Sequence, residues 1–285
     1  MPCPPFKEWS CKLPELPEVE TIRRELEPLI RGKTFAEPTL HMPSTIAYPS
    51  PEEFTAGLEG RTVKALARRG KYLFIDLDLG ILTVHLRMTG NLLFSETGMP
   101  GENRFLRVTL PFIDGTALHY SDMRRFGRLW LTADQQELEQ VVLKKVGPDI
   151  LNDVSLAEFL ELLGKRQKAK LKALLLDQNF VAGMGNIYTD ECLYRCGLHP
   201  ERAAGTLDRD KGEELYQAIQ DVLADGIKYG GTTFRDYRNA SGALGEFQEK
   251  LGVYGRKDDL CSCGTPIEKK VVAGRGTYYC PNCQK

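Results

Sequence analysis

Nowhere does the chain approach the roughly 18 consecutive apolar residues of a membrane-spanning helix, so a helical membrane protein is excluded. Its first thirteen residues lack the apolar run of a secretory signal, and a cytoplasmic protein is expected. Internal repeats are absent. No charge sign dominates either: 38 basic and 39 acidic residues leave a net charge of −1, which argues against holding nucleic acid through bulk charge. What remains is an ordinary globular composition, 42% hydrophobic and 27% charged over 285 residues, long enough for two domains with sizeable cores.

The average hides local asymmetry. Residues 61–72 carry Arg61, Lys64, Arg68, Arg69 and Lys71 with no acid, and residues 250–285 carry seven basic residues against three acidic ones. One such run is a solvated face; several runs that each adjoin a motif point to a polyanion. Of the eight cysteines, Cys3, Cys11, Cys192 and Cys196 are scattered, whereas Cys261, Cys263, Cys280 and Cys283 close the chain. In a cytosolic protein, paired cysteines near a terminus read as metal ligands rather than a disulfide framework. Cys280-Pro-Asn-Cys283 has the two-residue spacing of a zinc knuckle, and sixteen residues separate Cys263 from Cys280, as in a four-thiolate ribbon. Cys261-Ser-Cys263 is one residue short, which misplaces the amides that normally bond the sulfurs. A complete zinc site and an empty or partly ligated ribbon both stay open.

Residues 17–31 predict a helix. Pro17 suits its first position, Glu18 and Glu20 complement its positive end, and Val19, Ile22, Leu26, Leu29 and Ile30 recur at helical spacing. Gly32 stops it, and Pro28 is expected to kink the last turn. From 61 to 131 the pattern is that of strands: 73–78 and 81–86 flank a Leu-Gly turn, and 105–110, 116–120 and 128–132 follow, which predicts a β-sandwich. Val146-Gly-Pro-Asp149 is a breaker cluster and the best domain boundary. Beyond it the chain turns helical, with a capping box at Ser155-Leu-Ala-Glu158 and helices over 169–177 and 208–229. The Gly-rich stretch 226–245 reads as a mobile functional loop. The last 35 residues need a staple to fold.

Three features could carry chemistry beside the cysteines. Residues 179–188, with Gly183 and Gly185, form a turn that presents backbone N–H groups and a helix start to an anion. Arg275, between glycines at the expected hairpin tip 272–277, is either a solvated turn arginine or a bidentate phosphate grip. Met88 and Phe126 are strand core or, beside Arg124 and Arg125, apolar wedges.

The order of motifs is specific. Pro14-Glu-Leu-Pro-Glu-Val-Glu20, Arg69-Gly-Lys-Tyr72, His85-Leu-Arg-Met-Thr-Gly90, Asp122-Met-Arg-Arg-Phe-Gly127, Gly183-Met-Gly-Asn-Ile-Tyr188 and Ala273-Gly-Arg-Gly-Thr277 precede or lie within a terminal cysteine ribbon. Throughout residues 14–285 this resembles the bacterial formamidopyrimidine-DNA glycosylase family. The resemblance implies an α+β multidomain fold: an amino-terminal β-sandwich with a leading helix over 14–145, a helix–two-turns–helix domain with a lesion-capping loop over 150–248, and a β-hairpin zinc finger over 249–285 with one structural zinc on Cys261, Cys263, Cys280 and Cys283. It implies a monomer, cytoplasmic and nucleoid-associated, that acts on double-stranded DNA containing oxidised purines such as 8-oxoguanine and formamidopyrimidines.

The family's roles carry over by position. Pro14 would be the amine that attacks the anomeric carbon and forms a Schiff base, and Glu15 would handle protons at the sugar. Lys71 would assist β-elimination and Arg275 δ-elimination, each on a phosphate. His85, Lys168 and Asn186 would hold the DNA backbone, Phe105 stands where relatives often place a DNA-contacting His, and Met88, Arg124 and Phe126 would fill the gap left by the extruded base. An α-amino group has a pKa near 8, so part of it is neutral and nucleophilic at neutral pH. An acylated proline nitrogen has no usable lone pair. We therefore expect residues 1–13 to be absent from the functional protein, with a start at the Leu13 codon and removal of the resulting Met. If they are retained, the alternative is a lesion-binding protein without glycosylase activity. A related enzyme for oxidised pyrimidines shares the fold; Leu16 and the Met88, Arg124, Phe126 set favour the purine enzyme.

Overall fold

The computed structural model describes residues 14–97, 103–234 and 237–285; the leading segment 1–13 lies outside the described residues. The leading helix α1 (Leu16–Ile30) runs through Pro28 to Ile30, one residue earlier at each end than its apolar spacing predicts. Gly32 follows in the left-handed region, φ +82°, which only glycine adopts freely. Its first residue, Leu16, is buried in the helical half of the molecule, whereas Val19, Ile22, Leu26 and Ile30 are buried in the β half. One helix therefore stitches two cores.

The β half contains β1 (Thr39–Leu40), β2 (Ile46–Tyr48), α2 (Pro51–Leu58), β3 (Val63–Arg69), β4 (Tyr72–Leu77), β5 (Ile81–His85), β6 (Gly90–Ser95), β7 (Leu106–Pro111), β8 (Ala117–Asp122), β9 (Arg128–Thr132) and α3 (Gln135–Val141). Two sheets form, one in the order β2-β9-β5-β4-β3 and one in the order β1-β7-β8-β6. Ile75, Leu82, Val84 and Leu129 of the first meet Leu92, Val108, Leu110 and Leu118 of the second in one core, the sandwich expected from alternating apolar residues. The β4–β5 hairpin closes at Gly80, whose carbonyl accepts from the Leu77 amide at 3.0 Å.

The helical half contains α4 (Leu156–Gly164), α5 (Leu171–Leu176), α6 (Asn186–Arg195) and α7 (Arg209–Lys228). The capping box at Ser155 and Glu158 forms as predicted. The second predicted helix is shorter than 169–177, because Lys170 bridges Ala203 and Ala169 accepts from the Ala204 amide. Phe159, Leu171, Leu175, Ile187, Leu193, Leu215, Ile219 and Leu223 fill this core. The chain ends in a hairpin, β10 (Glu268–Val272) and β11 (Arg275–Tyr279). Its two-residue turn has Ala273 and Gly274 at φ +50° and +70°, as a tight hairpin requires.

Within the basic run at 61–72, Lys71 lines the cleft between the two halves, but Arg68 and Arg69 do not face a polyanion. Arg68 is buried between the carboxylates of Glu20 (3.2 Å) and Asp149, an ion triad that joins α1, β3 and the segment leading to α4. Arg69 donates to the carbonyls of Gly147 and Val146 and pairs with Glu139. Both arginines join segments of the protein to one another.

Candidate active site

Glu15 is the best-fixed functional side chain. Its carboxylate accepts from the amide of Ile187 at 3.0 Å and of Tyr188 at 3.5 Å, so it occupies the positive start of α6. The Gly-spaced turn does present a helix start to an anion, but that anion is the protein's own carboxylate. Gly185 is what permits it: a Cβ there would lie 2.2 Å from Glu15 Cδ. Gly183 is similarly tight against Leu16. Burial raises the Glu15 pKa, opposed by the charge of Lys71 and by these amides.

Glu18, one turn on, receives the Glu15 amide at 2.7 Å, the Tyr188 hydroxyl at 2.6 Å and the Thr232 amide at 2.7 Å. Burial, and then repulsion from Glu15, push its pKa up to about 7. Thr232 opens the glycine-rich loop, and Glu25 further along α1 accepts from Asn239 Nδ2 and the Ala240 amide at 2.8 and 2.9 Å. The loop is thus moored to the helix that carries Glu15.

A cleft of about 420 Å³ between the two halves is lined by Glu15, Lys71, His85, Arg87, Asn186 and Arg275, among others. Lys71 follows Gly70, which folds back against Ala182 at φ +58°. Burial lowers the Lys71 pKa, with Glu15 and Glu18 opposing and Arg275 and Arg87 assisting. His85 is buried; its Nδ1 accepts from the Arg87 amide at 3.0 Å, which leaves Nε2–H as its donor. Burial, then Arg87 and Lys71, hold its pKa well below the usual value, so the ring is neutral. Asn186 donates Nδ2 to Gly276 O at 2.8 Å and to Tyr254 Oη at 3.1 Å, binding the hairpin to the start of α6. Arg275, exposed at the head of β11, completes the rim.

Two turns beside the sandwich carry the wedge candidates. Met88 is half-buried, Phe126 is 48% exposed, and the Arg124 guanidinium stacks 4.9 Å over the Phe126 ring. Each turn holds a non-glycine residue in the left-handed region, Arg87 at φ +54° and Arg125 at +63°. Buried Asp122 ties the turns together by accepting from Thr89 Oγ1 and from the amides of Arg124 and Gly127. Phe105 lines a separate hollow with Asn91, Met123 and Arg238, under the Arg104 guanidinium. Lys168 is exposed and does not line the cleft.

The four terminal cysteines converge despite the short knuckle. Their sulfurs all lie within 4.8 Å of one another, with Cys261–Cys283 at 3.8 Å and Cys263–Cys280 at 3.6 Å. A tetrahedral zinc with Zn–S bonds of about 2.3 Å sets sulfur separations of about 3.8 Å, so the residues fit one structural zinc. Sequence reasoning missed the groups that hold this module to α6. Lys172 and Asp190 form a fully buried pair at 2.6 Å, Asp190 accepts from the Tyr278 amide, and Glu191 accepts from the amides of Gly252, Val253 and Tyr254. The helical period of Asn186, Asp190 and Tyr194 was the available signal.

The profile described as Formamidopyrimidine-DNA glycosylase N-terminal domain matches residues 13–129. That of the Formamidopyrimidine-DNA glycosylase H2TH domain matches 146–238, and a zinc finger found in FPG and IleRS matches 262–285. Formamidopyrimidine-DNA glycosylase of Geobacillus kaustophilus is 44% identical over 275 residues, and that of Bacillus licheniformis 42% over 275; each alignment covers 96% of this chain and 100% of the relative. Among solved structures, a Lactococcus lactis FPG mutant in complex with a Fapy-dG containing DNA superposes with a TM-score of 0.87 at 39% identity. The Lactococcus lactis Fpg with an abasic site containing DNA gives 0.87 at 38%; both cover 95% of this chain and 100% of the other.

Proposed function

The chain belongs to the formamidopyrimidine-DNA glycosylase family, and on that premise we propose that it is a DNA glycosylase that removes oxidised purines and then cleaves the strand as a lyase. The substrate would be double-stranded DNA bearing 8-oxoguanine opposite cytosine, or ring-opened purines. One observation carries the reading. Glu15, covalently next to Pro14, is clamped on the start of α6 in the same cleft as Lys71, His85, Asn186 and Arg275.

Extruding a damaged base costs a few kcal/mol, and Met88, Arg124 and Phe126 offset it by filling the gap. The neutral Pro14 amine attacks C1′, the bond from C1′ to the base breaks, and the base leaves with a proton. Glu15, whose pKa is raised by burial, supplies a proton to the sugar ring oxygen as the ring opens to the iminium Schiff base and Glu15 is left as the carboxylate. Loss of the 3′ phosphate by β-elimination and of the 5′ phosphate by δ-elimination follows, with Lys71 and Arg275 on the departing phosphates. Asn186, His85 and Lys168 would hold the backbone, and the loop moored by Glu18 and Glu25 would cover the extruded base. This chemistry needs the Pro14 nitrogen unacylated, so the active form would begin at Pro14. Cys261, Cys263, Cys280 and Cys283 would hold a structural zinc that steadies the hairpin carrying Arg275.

Incubation with end-labelled duplexes carrying 8-oxoguanine or thymine glycol tests this. The expected result is preferential excision of 8-oxoguanine opposite cytosine and a one-nucleotide gap with phosphate on both ends. Excision that leaves the strand intact would refute the lyase, and preference for thymine glycol would refute the lesion class.

A further inference from the structure

The cysteine cluster is approached by a hydroxyl from outside its own module. Tyr194, half-buried on the last turn of α6, places Oη 3.2 Å from Cys261 Sγ and 3.4 Å from Ser262 Oγ. In the knuckle of usual length, Cys280 Sγ is approached by two backbone amides, those of Asn282 and Cys283. The shortened knuckle brings only the Cys263 amide to Cys261 Sγ. Thiolates that bind a metal keep their charge in check through such donors.

We propose that Tyr194 is an outer-sphere donor to the zinc site, its hydroxyl supplying Cys261 with the hydrogen bond that the missing knuckle residue would have provided. A metal-bound thiolate carries no proton, so the sulfur accepts and Tyr194, the nearer hydroxyl, donates; Ser262 Oγ lies 3.4 Å from Tyr194 Oη and 3.8 Å from Cys261 Sγ and donates to one or the other. The ring is held by packing against the cysteine module and the segment before it. It packs on Gly252, where a Cβ would lie 2.5 Å from Tyr194 Cε1, and the Gly252 amide is held by Glu191 at 2.8 Å. The helix that begins under Glu15 thereby ends on the zinc. A hydrogen bond to the Cys261 sulfur stabilises its thiolate against protonation, which favours metal retention, and lowers its reactivity toward electrophiles.

The test compares the zinc-loaded full chain with Tyr194→Phe, which keeps the ring and loses the hydroxyl. Zinc release to an excess of a chromogenic chelator should quicken by about 10-fold or more, in line with the loss of an outer-sphere partner. In the cobalt(II)-substituted protein, the thiolate-to-metal charge-transfer band should move to lower energy, since the sulfur lone pairs are no longer stabilised. Gly252→Ala, which displaces the ring but keeps the hydroxyl, should quicken release in the same direction. Release within twofold of the parent in Tyr194→Phe would overturn the proposal. So would faster release with an unmoved band, because packing alone would then account for it.

Discussion

At the scale of single residues, the site depends on side chains that bury charge against backbone. Glu15 sits on two amides, and the absence of a Cβ at Gly185 is what leaves it room. Gly185→Ala should therefore lower the excision rate constant by about 100-fold or more, the cost of misplacing a reacting group by about an ångström. Affinity for an abasic-analogue duplex should change far less. Single-turnover kinetics beside a binding titration separates the two, and a rate within tenfold of the parent would show that the turn does not position Glu15. Pro14, Glu15, Lys71 and Arg275 could be singled out in the sequence because each stands inside a recognisable motif. Glu18, Asp190 and Glu191 could not: a buried carboxylate looks like a solvated one until its partners, most of them 60 or more residues away, are brought to it.

At the scale of elements, α6 and β3 show how much depends on tertiary pairing. Asn186, Asp190, Glu191 and Tyr194 all lie on the side of α6 that faces the hairpin and cysteine module. β3 spends its arginines on the protein itself. Arg68→Ala would leave Asp149 buried on backbone amides but without its counter-charge, and should destabilise the protein by about 3–5 kcal/mol. It should leave the salt dependence of DNA binding unchanged, whereas Arg275→Ala should reduce that slope by about one counterion. Denaturant unfolding and binding titrations across salt concentrations check both, and a reduced slope for Arg68→Ala would return that residue to the DNA face. The strands at 81–85 and 128–132 and helix α7 were legible because their apolar period is strong and their ends are marked. The short elements β1, β2, α2 and α3 were not, since two to eight residues hold too few apolar positions to declare a period.

At the scale of the molecule, α1 belongs to both cores and moors the glycine-rich loop. The sequence carried the order of sandwich, helices and cysteine hairpin, because each has its own composition; the cleft between them arises only on folding. All of the chemistry proposed for that cleft converges on the nitrogen of Pro14. Borohydride trapping on an 8-oxoguanine duplex, with the adduct mapped by peptide mass and the amino terminus read from the same sample, tests that point most directly. The account predicts a covalent adduct on Pro14, only in polypeptide that begins at Pro14. An adduct on Lys71, or efficient trapping by protein that retains residues 1–13, would contradict it.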